Sequence, residues 1–283
     1  KFYLKRLISI IPLYYTWALL NVAINVIIDG LDAAVEELLL FPIETLGLQS
    51  IFASLFEYSH NGGSWFISCI LICYFVFPLI QNLTKDISDK ARTTTIIILV
   101  AILLWSPFVQ RYFHTTSIYP NPFFRLFEFA IGIIVSQINM IELSENKIIK
   151  ILRKPYVCIA SVGLLIGGVS IAHKIGIPGD FMLYNWVALP CFISLLVSLG
   201  YIKFERLQDS KTVQYLSALS FSIFLSQLMV VWKSVHFVMD YFGCNSNIVS
   251  IILSATICFG IANFLHFFIE KPSSIFLKSK FLK

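Results

Sequence analysis

The chain has 283 residues, of which 58% are hydrophobic and 13% are charged, and its net charge is +5. Soluble domains carry about 25% charged residues, and the mean hydropathy here is +0.82. These values exclude a soluble globular protein and predict an integral membrane protein. A lipid bilayer is the expected surrounding, and no nucleic-acid partner is expected.

Long apolar runs predict an all-α, polytopic transmembrane helical bundle. A spanning helix needs about 20 apolar residues. A ninth stretch, residues 38–57, is interrupted by Pro42, Glu44 and Gly47, which favours an interfacial or re-entrant segment. With no internal repeat and no soluble segment, one domain is expected over residues 1–283. About eight runs reach or approach the spanning length: residues 7–28, 64–83, 94–110, 122–140, 156–173, 181–202, 215–232 and 247–269.

Lysine and arginine are distributed unevenly between these runs. Seventeen of the 21 lie before the first run, after the last run, or in the connections 84–93, 141–155 and 203–214. The connection 29–63 has no Lys or Arg and six acidic residues. The positive-inside rule therefore predicts that both ends of this chain are cytoplasmic and that residues 29–63 face outside.

An ion pair is predicted inside the run 122–140. Arg125 and Glu128 are three residues apart, so on a helix they share one face and can pair. A charge in the membrane interior costs at least about 2.5 kcal/mol, and such residues mark functional sites by default. The alternative is that both side chains snorkel to the outer headgroups, since they lie near the outer end of their run.

Polar residues near other span ends have two interpretations as well. Trp65, in the stretch GGSWFI, is either an interface anchor or part of a site. Lys5 and Arg6 are either positive-inside anchors or ligands for a phosphate-rich cytosolic molecule. The six cysteines form no CxxC pair, and most lie in apolar runs, which is typical of small buried side chains rather than a metal site.

Five stretches follow one another in a characteristic order: FYLKRLISIIPLYY, GGSWFISCILICYFVFPLI, PFFRLFEFAIGIIV, LSALSFSIFLSQLMVV and FFIEKP. Together they resemble the membrane-bound acyltransferase 3 family, which O-acylates bacterial surface sugars and other acceptors. The resemblance covers nearly the whole chain. The positions that match the family's motifs are Phe2, Arg6, Pro12, Trp65, Tyr74, Pro78, Arg125, Glu128, Phe129, Gly132, Ser220, Ser222, Leu225, Glu270 and Pro272.

Three departures accompany the resemblance. Ser9 stands where a second Arg is usual, and Gln227 replaces a His. Family members also begin with two further spans, the first of which carries the His thought to be catalytic. The chain is therefore expected to be N-terminally incomplete, with eight of ten spans visible and the catalytic His upstream of residue 1. Within the chain, His60 is the best local candidate because it is close in sequence to Trp65.

The resemblance implies an acyltransferase of the bacterial inner membrane. It would take an acyl group, acetyl in the expected case, from a cytosolic acyl-CoA such as acetyl-CoA. The acceptor would be a hydroxyl of a surface polysaccharide or lipid-linked glycan, and no bound cofactor or metal is expected. Arg6, with Lys5, would bind the donor; Arg125, Glu128 and Trp65 would form the acceptor site.

Two alternatives stay open. In a glycolipid or polysaccharide transporter or flippase, the same charges would line a pathway without covalent chemistry. Broken helices in paired halves favour that class, and only the 38–57 irregularity is of this kind. The other alternative is a catalytically inactive fragment or scaffold.

Overall fold

The computed structural model describes an all-helical chain. The described residues are 1–51, 64–113, 118–138, 150–151, 154–177, 186, 188–201, 209–227, 229–244 and 246–282. One π-helical turn, His266–Glu270, lies between the last two α-helices. In chain order the α-helices are α1 Phe2–Asp29, α2 Leu31–Thr45, α3 Ser64–Lys85, α4 Asp89–Phe113, α5 Pro122–Gln137, α6 Pro155–Ile175, α7 Ala188–Tyr201, α8 Lys211–Ser226, α9 Met229–Tyr241, α10 Asn247–Leu265 and α11 Lys271–Phe281.

The predicted polytopic bundle is confirmed. Within the described part of the chain, five segments are long and apolar enough to span a membrane: Phe2–Ile24, Ser64–Lys85, Asp89–Phe113, Pro155–Ile175 and Asn247–Phe281. They coincide with five of the predicted runs. Of the other three runs, 122–140 corresponds to α5, 181–202 to α7, and 215–232 to α8 with the start of α9.

Two boundaries differ from the sequence prediction. The run 215–232 is divided between α8 and α9 rather than forming one helix. In the last turn of α8, the Ser226 hydroxyl donates to the Ile223 carbonyl at 3.2 Å, and such side-chain bonds compete with helix continuation. In the ninth stretch, α2 continues through Pro42 and ends at Thr45; Gly47 then turns the chain with φ +65°.

The structure divides into two compact units, and the division falls within α3. Unit 1 comprises residues 1–75 and 206–283. In its core, residues of α1 pack against α3, α8 and α10. Because lipid is as apolar as these side chains, close packing and hydrogen bonds hold the helices together rather than escape from water. The fully packed members are Ile10, Leu13, Tyr14, Trp17, Ile67, Leu225 and Leu265.

Buried hydrogen bonds attach the end of α2 and the segment after it to α1 and α3. The Tyr14 hydroxyl donates to the Glu44 backbone carbonyl at 2.8 Å. Gln49 Nε2 donates to the Tyr14 hydroxyl at 3.2 Å and to the Ser64 carbonyl at 2.7 Å. Glycine suits position 47 because its φ is +65°, and an added Cβ would also lie 2.8 Å from Leu71 Cδ1, which would have to shift.

Unit 2 comprises residues 76–205. Its core joins α4, α5 and α7 through Leu103, Ile131 and Leu189. Helix α5 has a defined start, because the Asn121 side chain accepts the Phe123 backbone N–H at 2.9 Å and proline occupies the first helical position. These are common N-terminal signals. They fix where the charged residues of α5 begin.

Candidate active site

The first turns of α1 carry the two cations predicted to bind an acyl donor. Phe2 and Arg6 are four residues apart and lie on one face of the helix. The Arg6 guanidinium carbon is 4.9 Å from the ring centre of Tyr74 on α3 and 5.4 Å from that of Phe2. Arg6 is nonetheless exposed. The two rings therefore contact the guanidinium group, and its N–H groups stay accessible to an anion.

Lys5 has a different environment. Its side chain is exposed, and it lies over no aromatic ring in the described part of the chain. Its backbone N–H donates to the Lys1 carbonyl at 3.1 Å, as the first helical turn requires. The structure thus distinguishes Arg6, which contacts two aromatic rings, from Lys5, which contacts none among the described residues, although the two are adjacent in sequence.

Trp65 lies in the first turn of α3, in unit 1. Its ring meets Phe66 edge-on with centroids 6.1 Å apart, and Phe66 in turn contacts Phe224 of α8 at 4.7 Å. Trp65 is half-buried. Its proposed contact with an acceptor stays a prediction.

Arg125 and Glu128 form the predicted ion pair in unit 2. Arg125 Nη1 donates to Glu128 Oε2 at 2.8 Å, and the two side chains are 14% and 26% exposed. The guanidinium carbon also lies 5.3 Å from the Tyr119 ring centre. Arg125 Nε is buried and has no hydrogen-bond partner among the described residues. Protein covers most of the pair, so these charges are less open to lipid headgroups than a snorkelling pair would be.

One face of helix α5 packs in the core, and the adjoining face carries the ion pair. Phe124, Phe127 and Ile131 pack in the unit 2 core, and the ion pair occupies the adjoining face. Gly132, one turn after Glu128 on that face, has open space beside it: an added Cβ would meet no atom within 4 Å. Protein atoms therefore do not fill the side of α5 at Gly132, next to the ion pair.

A third polar cluster was missed by the sequence reasoning, although two of its three residues match family motifs. Ser222 on α8 donates to Glu270 Oε2 at 2.9 Å, and His266 Nδ1 lies 2.9 Å from the same oxygen. Ser222 and Glu270 were matched in two separate stretches without a role. The two motif matches were the available sign of this cluster in the sequence. Ser222 and Glu270 are 48 positions apart, so no local spacing pairs them.

The weak catalytic candidate, His60, lies outside the described residues, so its assignment stays a prediction. Among the residues that the structure describes, no three His, Cys, Asp or Glu side chains are grouped in a way that could hold a metal ion. Arg6 and Trp65 are described within unit 1, and Arg125 and Glu128 within unit 2.

Comparison with protein-family models gives a match over most of the chain. A family model described as an acyltransferase domain, acyltransferase 3, matches residues 1–267. No curated protein matches the chain. No solved structure matches it either.

Proposed function

The chain belongs to the acyltransferase 3 family of membrane acyltransferases, and we propose that it O-acylates a glycan. The acyl group, acetyl in the simplest case, comes from a cytosolic acyl-CoA. The acceptor is a hydroxyl of a surface polysaccharide or a lipid-linked glycan. The protein is a multi-pass protein of the bacterial inner membrane, and both ends of this chain face the cytoplasm.

The donor assignment rests on the aromatic contacts and the exposure of Arg6. A cation that merely anchors a helix needs no aromatic support, whereas Arg6 lies against Tyr74 and Phe2 and keeps its N–H groups exposed. Guanidinium groups bind phosphate oxygens bidentately, and coenzyme A carries several phosphates. Arg6 therefore binds the nucleotide end of the donor, and Lys5 adds positive charge beside it.

The acceptor assignment rests on Arg125, Glu128 and the space beside Gly132. A sugar hydroxyl both donates and accepts hydrogen bonds. The carboxylate of Glu128 accepts, and the unpartnered Arg125 Nε donates. Trp65 offers an aromatic face of the kind on which a sugar ring packs.

The chemistry requires two aids at the reacting centre. A general base takes the proton of the acceptor hydroxyl, which then attacks the thioester carbonyl. Fixed hydrogen-bond donors stabilise the oxyanion that forms, and the carbon–sulfur bond breaks. The products are the ester and the free thiol of coenzyme A.

The test uses inside-out membrane vesicles from cells that express the complete gene. Acyl-labelled acetyl-CoA is added outside the vesicles, which is the cytoplasmic side. Label is expected in the glycan fraction together with an equal amount of free CoA thiol, and vesicles carrying Arg6→Ala are the matched control. Movement of a glycolipid across the membrane without incorporation of label or release of thiol would instead identify a transporter and refute the proposal.

A further inference from the structure

The helix that ends unit 1 contains a single π-helical turn at His266–Glu270. It interrupts an apolar segment, Asn247–Phe281, that is otherwise regular enough to span a membrane. A π turn is closed by i→i+5 hydrogen bonds, one residue longer than in an α-helix, and such single turns within α-helices are frequent at functional sites. Its two ends are the two ionisable residues His266 and Glu270.

These side chains form a bonded cluster with Ser222 of α8. Glu270 Oε2 accepts the Ser222 hydroxyl at 2.9 Å and lies 2.9 Å from His266 Nδ1. An ionised carboxylate can only accept. The hydrogen of the imidazole must therefore be on Nδ1, and the second nitrogen, Nε2, is the one left to exchange a proton.

The arrangement exceeds what a structural link between helices would need. The Ser222–Glu270 bond alone joins α8 to the junction of α10 and α11. The histidine adds a second bond to the same oxygen, and its side chain is 14% exposed. Nε2 has no hydrogen-bond partner among the described residues, so it is free to meet a ligand.

The helix that carries the donor cation also packs against the cluster's π turn. Helix α1, which carries Arg6, packs against both the π turn and α11. Lys271, directly after the π turn, places its ammonium 6.0 Å from the Phe267 ring centre. Among the side chains that the structure describes on the elements packed against the π turn, the titratable or charged ones are Lys5, Arg6, Tyr3, Tyr14 and Tyr15 on α1, Lys211 and Tyr215 on α8, Cys258 on α10, and Lys271, Lys278 and Lys280 on α11.

We propose that His266 is a catalytic proton donor to the sulfur of the acyl donor, with Glu270 and Ser222 as its positioning residues. This inference rests on the proposed acyl-CoA-dependent function. As the acceptor oxygen forms its bond to the carbonyl carbon, the carbon–sulfur bond breaks and the electron pair stays on sulfur. Protonated His266 gives its Nε2 proton to that sulfur, so coenzyme A departs as the thiol. Water on the cytoplasmic side reprotonates the imidazole, and the acceptor's hydroxyl proton leaves through the base on the acceptor side.

The experiment measures acyl transfer per folded protein with the complete-gene protein in vesicles. His266→Gln is expected to lower kcat by about 100-fold or more, the usual size of an acid–base contribution, with little change in KM for acetyl-CoA. Glu270→Gln keeps the side chain's size and is expected to lower kcat by about 10-fold or more, because it no longer fixes the tautomer. The ionisation that His266 contributes to the pH profile of kcat should vanish in His266→Gln. His173→Gln, at the end of α6, is the matched control and should behave as the parent.

The outcomes separate this inference from the proposed function. Transfer by His266→Gln at the parental rate and pH profile would overturn the inference and leave the acyl transfer itself standing. A parent protein that transfers no acyl group would overturn the proposed function instead. If His266→Gln does not fold, Glu270→Gln decides, since a parental kcat in that variant rules out a positioned imidazole.

Discussion

At the scale of single residues, the arginines of this chain differ in what surrounds them. Arg92 Nε donates to the Thr84 carbonyl at 3.1 Å, and its Nη1 pairs with Asp89 at 2.6 Å. It therefore caps the last carbonyls of α3 and has a structural purpose. Arg6 has aromatic rings around it and remains exposed. Arg125 keeps one buried N–H without a partner. Of these three arginines, Arg6 and Arg125 have N–H groups that are not bonded to described residues.

Arg6 and Lys5 are expected to differ when each is replaced by alanine. Arg6→Ala should cost about 1.5–3 kcal/mol of donor binding, roughly a 10- to 100-fold rise in KM for acyl-CoA. Lys5→Ala should cost less, because that side chain has no held geometry. Arg6→Lys should fall between the two, since it keeps the charge and loses the bidentate fork. Steady-state kinetics with varied acyl-CoA measure all three, and equal, negligible effects of both alanine variants would contradict the donor assignment.

The Arg125–Glu128 pair is expected to matter for both folding and activity. Removing one partner of a buried pair costs about 3–5 kcal/mol, and less here because Glu128 keeps 26% of its side chain exposed. Both single alanine variants should therefore lose activity and some abundance. The double variant removes the stranded charge, so abundance should recover while acyl transfer does not.

The measurement for this pair is acceptor acylation per folded protein in the two single variants and the double variant. A pair that merely snorkels to headgroups would leave activity almost unchanged in all three. Near-parental specific activity in the double variant would show that the pair is structural and would remove it from the acceptor site.

At the scale of elements, helix α5 combines a packed face with an open one. Phe124, Phe127 and Ile131 join the unit 2 core, and Gly132 lies beside empty space on the face of the ion pair. Glycine within a helix costs about 1 kcal/mol relative to alanine. Gly163 has the same open surrounding, so what distinguishes Gly132 is its place one turn after Glu128 on the face of the ion pair.

Gly132→Ala is therefore expected to leave the protein as stable as the parent, or more stable by up to about 1 kcal/mol. Acyl transfer should fall, because the new methyl group occupies the acceptor's space. Gly163→Ala on α6 is the matched control, since it too would meet no atom within 4 Å, and it should leave activity unchanged. Thermal unfolding in detergent and glycan acylation measure the two properties, and full activity in Gly132→Ala would place the acceptor elsewhere.

At the scale of the whole molecule, the family match extends over residues 1–267, so one acyltransferase domain includes residues of both compact units. The distribution of positive residues predicts its orientation. The connection 141–155, with four Lys or Arg, should be cytoplasmic, and the connection 29–63, with none, should face outside.

This orientation is tested by labelling intact cells with a membrane-impermeant thiol reagent, after replacement of the six native cysteines. His60→Cys should react and Ile148→Cys should react only after the membrane is opened. Both positions lie outside the described residues, so the experiment tests sidedness alone. Reaction at 148 and protection at 60 in intact cells would reverse the predicted topology.

Features that depend on local spacing were predictable from the sequence. Composition determined the membrane environment, and run lengths determined most helices. The Arg125–Glu128 bond follows from a three-residue separation on one helix. Helix ends were less accurate: the apolar run 215–232 gave no sign of the division between α8 and α9.

Only the tertiary structure decided which distant residues meet. Arg6 against Tyr74, and Ser222 with His266 on Glu270, join separate helices. In a soluble protein, a helix has a polar side that faces water and an apolar side that packs, so the pattern shows which side is packed. These helices are apolar on nearly every side, because lipid tolerates any apolar side chain. The pattern therefore identifies spans but not their packed faces, and close packing and internal hydrogen bonds choose the neighbours.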